Sequence, residues 1–240
     1  RCDTGAGMFL VGMNHQNLLE LLVTRNTHFS VFGDTVQGDW NPKQHDVVWI
    51  EDIEGAGEMT RYLLSQGHRN IWYVANSKLT WFARRRQGYT RAMEEAGLEP
   101  LIGDIESDDE REVGFLAVRR ILNQGNAPDA IFAGSDAMAH GIYDALLTAG
   151  LRIPADVSVA AFNDTPEAIM LQPPVTTVRV FPEQVGRALS EMVISRIENS
   201  ILPPQEYTIA TQIVARQSCQ PRVPIADRIV GADFTKRAWR

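Results

Sequence analysis

Short apolar, β-rich runs alternate with stretches of helical period along almost the whole chain, and this alternation leaves few folds open. The runs that read as strands lie at 8–12 (MFLVG), 29–33 (FSVFG), 47–50 (VVWI), 70–76 (NIWYVAN), 101–105, 130–134 (AIFAG), 157–163 (VSVAAFN), 176–180 (TTVRV) and 207–216. Most are apolar nearly throughout, as strands covered on both faces must be. Between them, Phe82, Tyr89, Met93 and Ala96, and again Val185, Leu189 and Met192, fall on one side of a 3.6-residue repeat. Gly67, Gly97 and Gly150 each follow a helical stretch, where a left-handed residue ends a helix. Strands separated by single helices must cross over to stay parallel, so the fold class is α/β with doubly wound, mostly parallel sheets. The 240 residues suit one large or two modest domains at roughly 150 residues each. Segments 48–76 and 128–163 share a strand–helix–strand layout without a residue-level repeat.

Composition removes several function classes. With Lys plus Arg at 23 and Asp plus Glu at 30, the net charge of −7 argues against this segment being a general polyanion binder. No apolar run approaches the roughly 20 residues that span a bilayer. The two cysteines, Cys2 and Cys219, have no metal spacing; they are open to pairing, but so few favour a reducing interior. A chain that opens on Arg1 rather than Met reads as a fragment or a processed product. The acidic run Asp104–Glu112 reads as a solvated loop and helix start, and residues 218–240 as a loose tail with room for a short helix.

Enzyme motifs fail on inspection. Gly5-Ala6-Gly7 and Gly55-Ala56-Gly57 begin a GxGxxG, but its third glycine falls on Leu10 or Thr60. GxxxxGK[ST], GxSxG and HExxH are absent, and His15, His28, His45, His68 and His140 never stand at ligand spacing, so no metal or cofactor is expected. What remains is polar chemistry at strand ends, where open parallel sheets bind ligands. Asn76, then Ser135 and Asp136, then Asn163 and Asp164 close three apolar strands. Each also suits a helix N-cap, so capping is the competing role for any one of them. Arg84, Arg85 and Arg86 open the next helix and offer forked donors, though consecutive helical residues diverge and at most one or two can face a cleft. Trp81 and Phe82 are candidates either to stack on a sugar face or to pack in the core.

Four stretches resemble the effector-binding domain of the lactose-repressor (LacI/GalR) family: GHRNIWYVAN at 67–76, ARRRQGYTRAMEEAGLEP at 83–100, PDAIFAGSDAMAHGIYDALLTAGLRIPADVSVAAFND at 128–164 and PPVTTVRV at 173–180, with IVARQSC at 213–219. The resemblance covers about residues 7–219. It implies two periplasmic-binding-protein-like lobes with a ligand cleft between them: residues 1–50 and 181–207 in an N-terminal lobe, 51–177 and 208–217 in a C-terminal lobe, and 218–240 as a tail. In this family two further strand–helix units, and before them a helix-turn-helix, precede the strand at 8–12, so the first lobe is expected to be incomplete within these residues. Arg85 matches the family's effector-contacting arginine. Asn163 stands where many members carry an effector-binding Asp, and Ser135 where many carry Asn, which removes the usual charged acceptor but keeps a group that donates and accepts.

The expected function is therefore effector sensing and dimerisation in a cytoplasmic transcriptional regulator, not an enzyme. The effector is expected to be a small sugar-like molecule held by Arg85, Asn163, Ser135, Asp136, Trp81 and Asn76. Operator DNA would be reached only through an N-terminal helix-turn-helix. The alternative is the periplasmic sugar-binding protein of an ABC transporter. On the helix at 136–149, Met138, Ile142 and Ala145 form one face, while His140, Tyr143 and Leu147 form another that either meets a homodimer partner or lies under a neighbouring loop.

Overall fold

A computed structural model describes residues 7–125 and 127–222. The chain runs β1 (Gly7–Leu10), β2 (Asn14–His15), α1 (Gln16–Thr24), β3 (His28–Phe32), β4 (Val36–Gln37), β5 (Asp46–Ile50), α2 (Asp52–Ser65), β6 (Ile71–Ala75), α3 (Thr80–Glu95), β7 (Leu101–Asp104) and α4 (Glu110–Asn123). It continues through β8 (Ala130–Ala133), α5 (Asp136–Thr148), β9 (Ser158–Asn163), α6 (Pro166–Met170), β10 (Thr176–Arg179), α7 (Pro182–Glu198), β11 (Glu206–Ile209) and β12 (Gln212–Val214).

These elements form two larger sheets. The first is parallel in the order β1-β3-β5-β11, with α7 packed on it; the second has the order β12-β10-β9-β8-β6-β7, parallel except for β12. The chain passes between them at 51, at 180–181 and at 210–211. In the second sheet β6 leads outward to β7, and the next crossover returns past β6 to β8, so the winding direction reverses between β6 and β8. Helices before and after such a reversal lie on opposite faces. Accordingly α2 packs on α3, and α4 on α5.

Glycine lets each helix pair approach closely. A Cβ on Gly88 would stand 1.9 Å from the Ile53 carbonyl oxygen across the α2–α3 contact, and one on Gly141 would stand 1.9 Å from that of Arg111 across α4–α5. The second lobe's core is aromatic at its centre: the Tyr73 ring stacks on Tyr89 and meets Phe132 edge-on, both at 5.5 Å between centroids. Their hydroxyls stay satisfied inside the core, Tyr73 donating to Phe82 O (3.0 Å) and Tyr89 to Ile71 O (2.7 Å).

The expected strands are present, with differences that have physical causes. Ala96 is the exposed C-cap of α3, and Ala92 takes its expected place in the buried face. The run 207–216 is two strands in different sheets, because Ile209 is drawn under α7 with Val185 and Leu189 while Ile213 packs on the other core. The first sheet therefore keeps Thr208 and Ile209, beyond the expected limit at 207, and the second keeps Val178 and Arg179, beyond 177. The start of the expected tail is docked: Ser218 is fully buried, accepts from Thr176 N at 2.7 Å and donates to Val159 O at 2.5 Å. Arg222 donates its N–H to Gln66 O and pairs with Asp129, both at 2.7 Å. Residues 223–240, where a short helix was allowed, lie outside the described residues, as does Cys2. Cys219 packs under Val159 O at 3.2 Å, and burial pushes its thiol up to about 11.

Among the described residues β1 pairs with β3 alone, and Met8 and Phe9 are 43% and 52% exposed.

Candidate functional site

The carboxyl ends of β6, β8, β9 and β10 come together at the winding reversal of the second sheet, the crevice where such sheets take ligands. At its floor lies Arg85. Helix α3 buries Phe82, Arg85, Gly88, Tyr89 and Ala92 along one face, and that period carries a cation into the interior. Arg85 is only 4% exposed and Asp52, the first residue of α2, 1%. Arg85 Nε donates to Asp52 Oδ1 and Nη1 donates to Gly134 O, both at 2.7 Å, while the guanidinium lies 3.8 Å from the Phe162 ring centroid. A charge removed from water this far needs its partner, so the pair fixes the guanidinium before any ligand arrives. Asp52 was missed in the sequence, although it directly follows the exit of β5 and is as much a strand-end carboxylate as Asp164.

The three arginines diverge as consecutive helical residues must. Arg84 reaches the first sheet, its guanidinium 5.1 Å from the Trp49 ring centroid and Nη2 donating to Ile50 O at 3.4 Å. Arg86 turns outward, with Nη1 3.7 Å from Asp104.

The other expected contacts divide by how their polar atoms are engaged. Asn76 is buried; its Nδ2 donates to Ser107 O (3.2 Å) and its Oδ1 accepts from Lys78 N (3.3 Å), so it ties the loop after β7 to its own turn. Ser135 caps α5 by accepting from Met138 N (3.2 Å) and donates to Glu110 (2.5 Å). Asp136 is fully buried and accepts from Thr165 N (2.7 Å), Thr165 Oγ1 (3.0 Å) and Thr177 Oγ1 (2.8 Å). Burial pushes its carboxyl up to about 6 against the pull of those donors. Trp81 is half-buried, with its ring 5.5 Å from that of Phe82. Asn163 is half-buried in a left-handed backbone conformation at φ 111°, and its amide makes no hydrogen bond among the described residues.

The expected subunit stripe is not one surface. Tyr143 is buried and donates to Pro173 O at 2.8 Å, because the loop 171–175 folds over that face of α5. Leu147 is 77% exposed, and His140 lies partly exposed with Nδ1 3.8 Å from Asp144. Among the described residues no three His, Cys, Asp or Glu side chains cluster as a metal site. A surface hollow of about 580 Å³ lies between α7 and β11.

Two parallel-sheet lobes joined by three crossings, with hydrogen-bonding groups gathered at the strand ends between them, define a two-lobed small-molecule-binding domain. Comparison with known proteins agrees. The model of the periplasmic binding protein-like domain matches residues 60–219. The ribose operon repressor of Escherichia coli K12 is 34% identical over 188 residues, 77% of this chain and 57% of the repressor. The structure of the transcriptional regulator CelR in complex with cellobiose superposes with a TM-score of 0.78 at 28% identity, covering 89% of this chain and 65% of CelR. The lac repressor dimer bound to operator shares the fold, with a TM-score of 0.77 at 20% identity over 89% of this chain and 73% of the repressor chain. The chain belongs to the periplasmic binding protein-like domain family and, within it, to the LacI/GalR family. It spans a little over half the length of the ribose repressor it matches.

Proposed function

We propose that these residues sense a small polyhydroxyl effector, a sugar or sugar derivative, and pass its presence to operator binding by the whole protein in the cytoplasm. The observation that carries this reading is the fixed Arg85 guanidinium, bonded to Gly134 O just beyond β8, together with the Asn163 amide that makes no hydrogen bond among the described residues at the end of the neighbouring strand β9. With Nε and Nη1 held by Asp52 and Gly134, Nη2 is the Arg85 donor left for a ligand, and together with an amide that donates and accepts it suits vicinal hydroxyls, which also do both. Arg84 on Trp49 joins the two lobes next to Arg85, so a ligand that moves α3 also moves the lobes relative to each other. The effector acts by favouring one lobe arrangement, without covalent chemistry.

Operator DNA is contacted through an N-terminal helix-turn-helix, and the protein works as a homodimer. The exposed apolar residues Ile169 and Met170 on α6, with Leu147 on α5, support a subunit contact on this side. The transporter alternative shares the fold, but the relatives that match over most of this chain are named repressors. Titration calorimetry with ribose, cellobiose and a nucleobase series tests the reading. Saturable binding of a sugar, lost in Asn163→Ala, supports it; binding of a nucleobase alone, with no response to any sugar, overturns it.

A further inference from the structure

Asn163 and Asp164 are consecutive residues with φ of 111° and 59°. Apart from them, Asn26 is the one other non-glycine residue with positive φ among the described residues. L-residues enter this region reluctantly, and outliers that persist are over-determined by their surroundings and concentrate at binding sites. Here the surroundings are explicit. The Asp164 carboxylate is 6% exposed, with Arg179 Nε donating to Oδ2 and Arg216 Nη2 donating to Oδ1, both at 2.5 Å. Arg179 ends β10, and Arg216 lies just beyond β12. Arg216 is itself anchored, since its Nη1 donates to Val175 O and its N–H to Thr176 Oγ1, both at 2.9 Å. Both carboxylate oxygens are thus gripped from separate strands. Immediately before them stands Asn163, in register with Arg179, its carbonyl accepting from Val180 N at 3.3 Å and its amide left without a partner among the described residues.

A merely structural tie between β9, β10 and β12 does not require two left-handed residues in succession. The reversed turn has a different product: it fixes the direction in which Asn163 leaves the sheet. We propose that Asp164 is a positioning residue for effector recognition, and that the grip of Arg179 and Arg216 on its carboxylate holds Asn163 in the left-handed conformation that presents its amide to the ligand. The proposal rests on reading Asn163 as a ligand contact, and its test separates the two.

The ligand-independent arm measures the Asn163 backbone by Cα and Cβ chemical shifts and the HN–Hα coupling in the wild type, Asp164→Asn and Asp164→Gly. Asparagine and glycine both tolerate positive φ, so a change reports the lost grip rather than a steric clash. Both variants should keep the native circular dichroism spectrum while Asn163 leaves the left-handed region; an unchanged Asn163 in both overturns the proposal. The second arm titrates ribose and cellobiose into the wild type, Asp164→Asn, Asn163→Gly and the double variant. Asp164→Asn should weaken the bound sugar by roughly tenfold, the size of one lost oriented hydrogen bond, and should have little further effect once Asn163 is glycine. An equal loss in both backgrounds means that Asp164 acts independently of Asn163 and overturns the proposal. If Asn163→Gly binds like the wild type, or neither sugar binds the wild type, the ligand-contact reading fails, and the backbone arm alone decides whether the grip sets the conformation.

Discussion

Arg85→Ala should damage stability as well as binding. The sequence alone presents Arg85 as a cleft residue whose removal would change folding little. In the structure its loss leaves Asp52, at 1% exposure, without the Nε donor 2.7 Å away and with Arg84 Nε 3.8 Å from Oδ2 as the remaining cation, frees Gly134 O and uncovers the Phe162 ring. Removing one member of a buried pair costs about 3–5 kcal/mol, because the remaining charge stays out of water. The guanidinium over Phe162 adds up to roughly 2 kcal/mol, though the two effects overlap and do not sum. Arg84 beside Asp52 offsets part of that cost, so the second lobe should unfold with roughly 2–4 kcal/mol less free energy in Arg85→Ala. Urea unfolding followed by circular dichroism and tryptophan fluorescence measures this as a lower midpoint at unchanged slope. The double variant Asp52→Leu/Arg85→Met separates pairing from packing and should recover most of the loss, since an apolar replacement of a buried pair is near neutral. A single variant within about 1 kcal/mol of wild type would refute the reasoning, as would a double variant no more stable than the single one. Effector affinity in Arg85→Ala should fall about 10- to 150-fold, corresponding to roughly 1.5–3 kcal/mol.

Three further outcomes follow from groups outside that pair. The raised Asp136 carboxyl, about 6 when folded against 3.8 as the ordinary value, contributes stability that is present below about 3.8 and lost as pH rises through about 6. Wild type should therefore lose melting temperature relative to Asp136→Asn between pH 4 and pH 7, and parallel curves would exclude the effect; the difference isolates Asp136 from His68, whose buried ring is held below its ordinary value and favours folding at the higher pH. Tyr143→Phe should cost about 0.5–1.5 kcal/mol in thermal unfolding by removing the bond to Pro173 O, while Met170→Glu should leave stability alone and raise the dimer dissociation constant in analytical ultracentrifugation.

The parallel core was legible because β8 is apolar throughout and β9 from Val159 to Phe162, which only strands covered on both faces tolerate. The break between β11 and β12 was hidden for a related reason: every residue from Glu206 to Val214 suits a strand, and nothing local marks the passage from one sheet to the other. Arg85 could be singled out from its motif, but its partner could not, because Asp52 lies 33 positions away and meets it only through the α2–α3 contact that Gly88 permits. For Tyr143 the sequence left two roles open, a subunit contact or a place under a neighbouring loop, because its spacing with His140 and Leu147 describes a helix face and not what covers it; the loop takes Tyr143 and leaves Leu147 exposed. The left-handed turn at Asn163 had a weak signal, since Asn-Asp is a pair that tolerates positive φ, but the arginines that hold it arrive from residues 179 and 216.

The three crossings between the lobes also set an order of assembly. Residues 71–179 hold all five parallel strands of the second sheet in one uninterrupted stretch, whereas the first sheet needs β11 at Glu206–Ile209 to cover the side of β5 that faces away from β3. During synthesis from the N-terminus, the second lobe can therefore pair its five parallel strands while β5, like β10 before β12 arrives, still carries an unpaired edge and α7 has not yet left the ribosome. Through that interval the strands of the first sheet remain exposed to wrong pairings, including pairings with the same strands of a neighbouring nascent chain. The first lobe is closed by β11, and the second, though its parallel strands come earlier, receives its last strand β12 and the docked Ser218 only after that.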